Sequence, residues 1–447
     1  MIFLMDYYPE FALVPFMLII GVVAAYVILA KPFTGLMIYL VFLLIRPQEF
    51  VPFLMAVPIP LERIVAIMLI VSMLIFLKRE YRMKINITSI DYGIVIFILV
   101  CLLSVVSAIW ITGAWETWNK LLRLGIVYLF ISQLIRNRKQ FKGYVIFVIL
   151  AAAFHASAAV IRYYMGIREL EMGIERATGI DLSYGDPNSL APTIIYTLPL
   201  VYCYFVSTSS KMIKAFLIMI SLVMLWCVVL TGSRTGFAGL AFFGLMVLYF
   251  NKSKFRNLII ILIAMFVLIP FIPGQYIERF ESITDLGSNN GAAQSAHGRI
   301  DGLILGMKMM LDRPILGYGI GCYGIANALI YTHYYYESHS LPGQIFGELG
   351  LLGLIVFIIW MYALFKGIKR LKQYFSKFRD RDKFLYNVVI ALNIELLLLF
   401  FIGLAGHNLY RYNWFILSGA VTVLLNMIRS DGPIGEPEPG PGPTEAV

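Results

Sequence analysis

Charge is what this sequence has least of. Asp, Glu, Lys and Arg make up 14% of its 447 residues, against roughly a quarter in an ordinary soluble chain. That shortage excludes a string of soluble domains, which the length alone would otherwise suggest. Cysteine is scarce too: Cys101, Cys203, Cys227 and Cys322 have no paired spacing, which argues against a disulfide framework or a cysteine metal site. The first apolar run lacks both a basic start and a small-residue cleavage site, so no cleavable signal is expected. What fills the chain instead is apolar: 60% hydrophobic residues and a mean hydropathy of +0.82. Most of that surface must face lipid or other helices, and the class is membrane α-helical.

A bilayer span takes about 20 mostly apolar residues, and lipid forces their backbone into helices. Spans are expected near 11–30, 33–46, 61–77, 90–110, 120–135, 144–161, 189–206, 214–231, 236–250, 257–273, 343–365, 384–405 and 413–428, about 12–13 in all. Basic clusters fall in alternate loops: around Lys78 to Arg82, Arg136 to Lys139, Lys252 to Arg256, and Lys366 to Lys383. By the positive-inside rule these loops are cytoplasmic, together with the tail from Asp431, while Asp6 and Glu10 lie outside. The net charge of +10 therefore reflects topology and not nucleic-acid binding. Bases on the outer side are arginines, with only Lys120 and Lys308 as exceptions. Arginine forks onto phosphate oxygens, so an outer-face phosphate or diphosphate ligand is the natural reading, with snorkelling to the interface accounting for about half of them.

Two outer stretches are long, 162–188 and 274–342, and long loops of this kind usually carry function. Within the second, Ile300, Leu303, Ile304, Met307 and Leu311 recur at helical spacing, which predicts an amphipathic helix on the membrane surface. Arg299 opens that helix, where its N-terminal amides would favour an anion. The organisation expected is N-terminal transmembrane helices over 1–175, a core over 176–365 with its loop at about 274–342, C-terminal transmembrane helices over 366–430, and a Pro- and Gly-rich disordered tail over 431–447. Gly317 to Gly321 follows no strand and reads as a turn. Asp380-Arg381-Asp382 sits in a basic run and reads as a solvated face. His155 reads as a packing histidine. His297, His333 and His407 lack metal-ligand spacing, and no metal or cofactor is expected.

Four segments, in order, resemble the O-antigen ligase and polymerase superfamily of bacterial polysaccharide assembly. They are Arg176-Ala177-Thr178-Gly179 with Asp186 to Ala191; Gly232-Ser233-Arg234-Thr235-Gly236; Gly298 to Leu303 leading to Arg313 to Gly321; and His339, eleven residues before Gly350. The resemblance implies a GT-C-like inverting glycosyltransferase of the bacterial inner membrane, with its site on the periplasmic face. The donor would be a glycan on undecaprenyl diphosphate and the acceptor a lipid A core sugar, or another glycan or a protein in relatives. It also implies that His339 is catalytic and that Arg234 and Arg299 hold the donor diphosphate, with Arg176 in the same anion site. Arg411, Asn188 and Glu348 are supporting candidates. Ser340 stands where asparagine is common in the family.

Chemistry gives these roles an independent footing. A lipid diphosphate is already a good leaving group, so fixed arginines that neutralise its developing charge suit the reaction. The acceptor hydroxyl must lose a proton, and histidine titrates in the right range to take it. The tyrosines Tyr331, Tyr334, Tyr335 and Tyr336 read first as interfacial aromatics and second as a sugar platform. The rival class is a transporter or flippase for lipid-linked sugar, for which Glu395, beside Asn393 in a span, is the main support. A buried arginine or amide partner for Glu395 is the plainer expectation. A coupled transporter would also show matched broken repeats, and the sequence has none in view.

Overall fold

The computed structural model describes residues 14–55, 60–79, 87–171, 174–180, 185–250, 254, 259, 291–379 and 382–430. The expected span at 257–273, most of the basic run at 252–256, Asp380-Arg381 and the tail from 431 lie outside these residues, as do Asp6 and Glu10.

The chain is an all-α polytopic membrane protein. Its helices are α1 (Val14–Ala30), α2 (Pro32–Leu40), α3 (Leu61–Arg79), α4 (Ser89–Val106), α5 (Ile111–Leu134), α6 (Arg138–Tyr164), α7 (Pro187–Ser207), α8 (Lys211–Leu230) and α9 (Arg234–Phe250). They continue as α10 (Gly291–Asp312), α11 (Leu341–Ser376), α12 (Lys383–Gly403) and α13 (Tyr412–Ser430). Among the described residues six, α4, α6, α7, α8, α11 and α12, are long and apolar enough to cross a membrane. The other expected spans fall in helices with reasons for missing that standard. The helices α1 and α9 have 17 residues each, α3 carries Glu62, Arg63, Lys78 and Arg79, α5 carries Glu116, Lys120 and Arg123, and α13 carries Asn413 and Asn426. The second expected span is α2 running on through a π-turn, Val41–Ile45.

The centre of the bundle is aromatic. Phe357 and Trp360 of α11 meet Phe97 of α4, Phe400 of α12 and Trp414 of α13 at ring distances of 5.4 to 6.4 Å. Buried indoles need a partner for N–H, and both have one: Trp360 donates to Ser418 Oγ at 3.2 Å and Trp414 to the Asn408 carbonyl at 2.9 Å. The second bond matters for position, because it ties the α12–α13 loop to the bundle core. At one end of the molecule, Asp382 accepts from Leu385 N (3.1 Å) to cap α12 and receives Arg138 at the start of α6 (2.8 Å). Two loops assigned to one side by charge are thus joined.

Glu395 is buried in α12 and shares a void of about 20 Å³ with His155, Thr193, Thr197 and the amide residue Asn413. Asn413 shares this space, but among the described residues no hydrogen bond joins it to Glu395, and its Oδ1 is unsatisfied. His155 donates from Nε2 to the Leu44 carbonyl at 2.5 Å.

Two departures from the sequence reading bear on the site. The stretch 162–188 contains an antiparallel hairpin, β1 (Glu169–Glu171) paired with β2 (Ile174–Arg176), with Glu169 opposite Arg176. The loop helix, α10, begins at Gly291 and not at Arg299, because the small residues before Arg299 continue it. Arg299 therefore lies well inside the helix, and the amide argument made for it fails. Its predicted apolar stripe is present, with Ile300, Ile304, Met307 and Leu311 exposed. The opposite face packs on α11 through glycines: a Cβ on Gly306 would stand 2.4 Å from the Gly343 carbonyl, and one on Gly302 would stand 2.0 Å from the Ser338 carbonyl.

Candidate functional site

The segment after α10 is locked to a break in α11. Gly350, at φ 61° and ψ −155°, interrupts the helix, which releases the carbonyls of Gly347 and Glu348 to accept from Tyr318 N (2.9 Å) and Gly319 N (3.0 Å). The amides of Leu351 and Leu352 bond back to Pro314 and Ile315. Gly317, Gly319 and Gly321 all have positive φ, a region open to glycine at no steric cost, so the expected turn is a zipper between loop and span. Glu348 belongs to it. Its carboxylate accepts from Gly321 N (2.8 Å) and from the Tyr410 hydroxyl (2.5 Å). It does not line the cavity described next, because those bonds aim it into the zipper.

This arrangement sets the end of α11 over a cavity of about 1120 Å³. Six of the seven candidates from the sequence line it: His339, Arg176, Arg234, Arg299, Arg411 and Asn188. The outer arginines thus separate into two groups. Arg46 pairs with Glu49 at 2.9 Å, and Arg313 stacks on Tyr318 at 4.5 Å, whereas four arginines from distant parts of the chain converge on one cavity.

Their surroundings differ. Arg176 is fully buried. Its Nε donates to the Thr231 carbonyl (2.7 Å), Nη2 donates to Asn188 Oδ1 (2.8 Å) and Nη1 pairs with Glu171. Arg411 donates to Ser189 Oγ at 2.5 Å, and that hydroxyl donates to Asp186 at 3.0 Å. Arg299 donates from Nη2 to Thr235 Oγ1 at 2.9 Å, which draws the loop helix onto the start of α9. Burial lowers its pKa from the ordinary value, but arginine stays charged at any physiological pH. Arg234 is the first residue of α9. Gly232 (φ 57°) makes the turn, and Ser233 Oγ accepts from Gly236 N (3.2 Å) as a cap. The help of helix N-terminal amides, assigned from the sequence to Arg299, therefore falls to Arg234.

His339 sits at φ 45°, an uncommon backbone region for a non-glycine residue. Ser340, next to it, caps α11 by accepting from Gly343 N at 3.4 Å, so the residue that departs from the family pattern holds the helix start. The imidazole lies between the Tyr336 ring (4.8 Å) and the His407 ring (5.2 Å). Burial first, and then Arg299, lowers its pKa below the usual 6.5, with Asp186 pulling the other way. His407 is pushed lower still, to about 4, by burial, His339 and Arg411.

Sequence reading gave no site role to His407, Asp186 or Thr235, and gave Tyr336 one only as its second reading. Spacing told against His407 as a metal ligand but said nothing of its distance from His339. The nearest available signal was Arg411, four positions away.

Comparison with known proteins fits this geometry. Residues 219–358 match the family model described as O-antigen ligase, and this stretch holds Arg234, Arg299 and His339. Residues 11–180 match a family of unknown function. No curated protein matches the chain. Residues 219–358, less than half of the chain, are thus similar to the O-antigen ligase family, which supports the resemblance carried by the ordered motifs of this membrane protein.

Proposed function

We propose that this chain is an inverting glycosyltransferase of the O-antigen ligase type. It moves a glycan from undecaprenyl diphosphate to a sugar of the lipid A core, at the periplasmic face of the bacterial inner membrane. The observation that carries the reading is the meeting of His339 with Arg176, Arg234, Arg299 and Arg411 in one cavity at the ends of the spans. The site uses no metal and no cofactor, because its own cations supply the charge that the leaving diphosphate requires.

In the proposed reaction the acceptor hydroxyl attacks the anomeric carbon in line with the departing diphosphate, which inverts that centre. Neutral His339 takes the hydroxyl proton as the new glycosidic bond forms and the carbon–oxygen bond to the diphosphate breaks. Arg234 and Arg299 hold the diphosphate oxygens as charge builds on them, and the first amides of α9 face the same anion. Arg176, tied by Glu171, Asn188 and Thr231, fixes the back of the anion site. We assign the functional core to 176–365, completed by the 403–411 loop, which brings His407 and Arg411 to the cavity.

The test is product mass. Purified protein is incubated with an undecaprenyl-diphosphate oligosaccharide, with and without lipid A core. Glycan joined to the core supports the ligase reading. Head-to-tail growth without core makes the protein a polymerase of the same superfamily. Transfer to neither, by folded protein with intact donor, refutes ligase and polymerase together and leaves protein glycosylation or lipid-linked sugar transport.

A further inference from the structure

His407 has no role in the mechanism above, yet its position is unusual. It lies in the α12–α13 loop, which the Trp414 to Asn408 bond anchors to the bundle. Its ring stands 5.2 Å from His339, tilted by 59°. Among the described residues neither ring nitrogen has a hydrogen-bond partner: Nδ1 is sealed from solvent and unsatisfied, Nε2 is not among the sealed atoms, and the residue lines the cavity. Orphaned buried N–H groups are rarer than under-satisfied acceptors. The sealed Nδ1 therefore keeps its lone pair, and the proton resides on Nε2. The low pKa of the ring, about 4, keeps it in this neutral form through the working pH range.

A hydroxyl oxygen bonded in the plane of an imidazole lies about 4 Å from the ring centroid, from a donor–acceptor distance near 2.9 Å plus the ring radius. One oxygen can therefore serve two rings whose centroids are 5.2 Å apart. We propose that His407 is the acceptor-positioning residue: its Nε2–H donates to the oxygen of the attacking hydroxyl, which leaves that hydroxyl's own proton directed at His339. Two rings with fixed relative tilt define where the oxygen sits, as a single base does not. The arginines face the other substrate, so His407 acts on the acceptor alone.

This inference rests on the glycosyl-transfer reading, and its test separates the two. His407→Ala and His407→Gln are compared with wild type in steady-state transfer, varying donor and acceptor in turn. Glutamine places an amide N–H near the original Nε2 and keeps the donor. In His407→Ala, loss of one neutral hydrogen bond is expected to raise the acceptor KM or lower kcat by a combined factor of roughly ten, with the donor KM unchanged. His407→Gln should recover most of the loss. A His407→Ala enzyme with wild-type acceptor kinetics overturns the proposal, and so does a donor KM that rises as much as the acceptor KM. If His407→Ala fails to fold, a folded His407→Gln enzyme that has lost acceptor selectivity equally overturns it. Absence of transfer by wild type sinks the parent reading instead.

Discussion

The two sides of the cavity are built by opposite means. On the side of the hairpin and the α7 start, polar groups are tied to one another: Arg176 to Thr231, Asn188 and Glu171, Arg411 to Ser189, and Ser189 to Asp186. On the side of the α11 start, among the described residues neither His339 nor His407 receives a hydrogen bond from the protein. Their rings are held by Tyr336, by each other and by the backbone. Groups already fixed by hydrogen bonds suit a charge that develops at one place in every turnover. Ring nitrogens without protein partners stay available to the substrate, at His339 to take the acceptor's proton and at His407 to donate to its oxygen. One wall is therefore finished before binding, and the other is completed by it.

The largest effect should come from the open wall. His339→Ala removes the proposed base, and a positioned base is worth roughly 10²–10⁴-fold in rate. Turnover should fall by that factor while donor affinity, measured by binding alone, stays at the wild-type value because the tied wall is intact. Turnover within a few-fold of wild type would end the assignment.

On the tied wall, effects should divide between affinity and stability. Arg299→Lys keeps the charge but not the planar fork. With about 1.5–3 kcal/mol for a hydrogen bond to a charged group, transfer should drop by roughly tenfold to a hundredfold, and the same holds for Arg234→Lys. Arg176→Lys should differ in kind. Lysine cannot reach Thr231, Asn188 and Glu171 together, so the expected result is a lowered Tm in detergent of the folded, purified protein. A fall in donor affinity with Tm unchanged would move Arg176 from the frame of the site to direct ligand contact.

What was legible in the sequence follows the same divide. Arg234, Arg299 and His339 sit in local motifs with glycines or helix starts beside them, and each reached the cavity. The amphipathic helix was legible from its spacing, and Ile300, Ile304, Met307 and Leu311 form the exposed stripe that spacing predicts. Its start was not, because Gly291 to Gly298 carry no apolar period to mark it. Glu348 looked like a site residue because an acid near a conspicuous motif attracts notice. Its true partners, Gly321 and Tyr410, are 27 and 62 positions away. His407 was hidden for the same reason, since its meaning depends on His339, far from it in the chain. The hairpin at Glu169–Arg176 is two three-residue strands, too short for alternation to show.

The smallest predicted effect links the two walls. Asp186 belongs to the tied side through Ser189, yet its charge acts on both imidazoles and raises the pKa of each against the lowering effect of burial. Because neutral His339 is the reactive form, turnover should rise with pH through its depressed pKa and level off above it, so that the acid limb lies below 6.5. Asp186→Asn removes the one influence named here that raises the pKa, and the limb should therefore move to lower pH while the plateau changes little. A limb that moves to higher pH would reverse the sign of the coupling. His407 adds a stability effect of fixed direction. Its folded value of about 4 lies below the unfolded 6.5, so its contribution to stability is full above pH 6.5 and is lost as pH falls toward 4. Tm measured across that window should drop more for wild type than for His407→Gln, which has no imidazole to protonate there. Equal slopes would mean that the ring already meets water freely, and the open wall would then lack the dry nitrogen on which its selectivity depends.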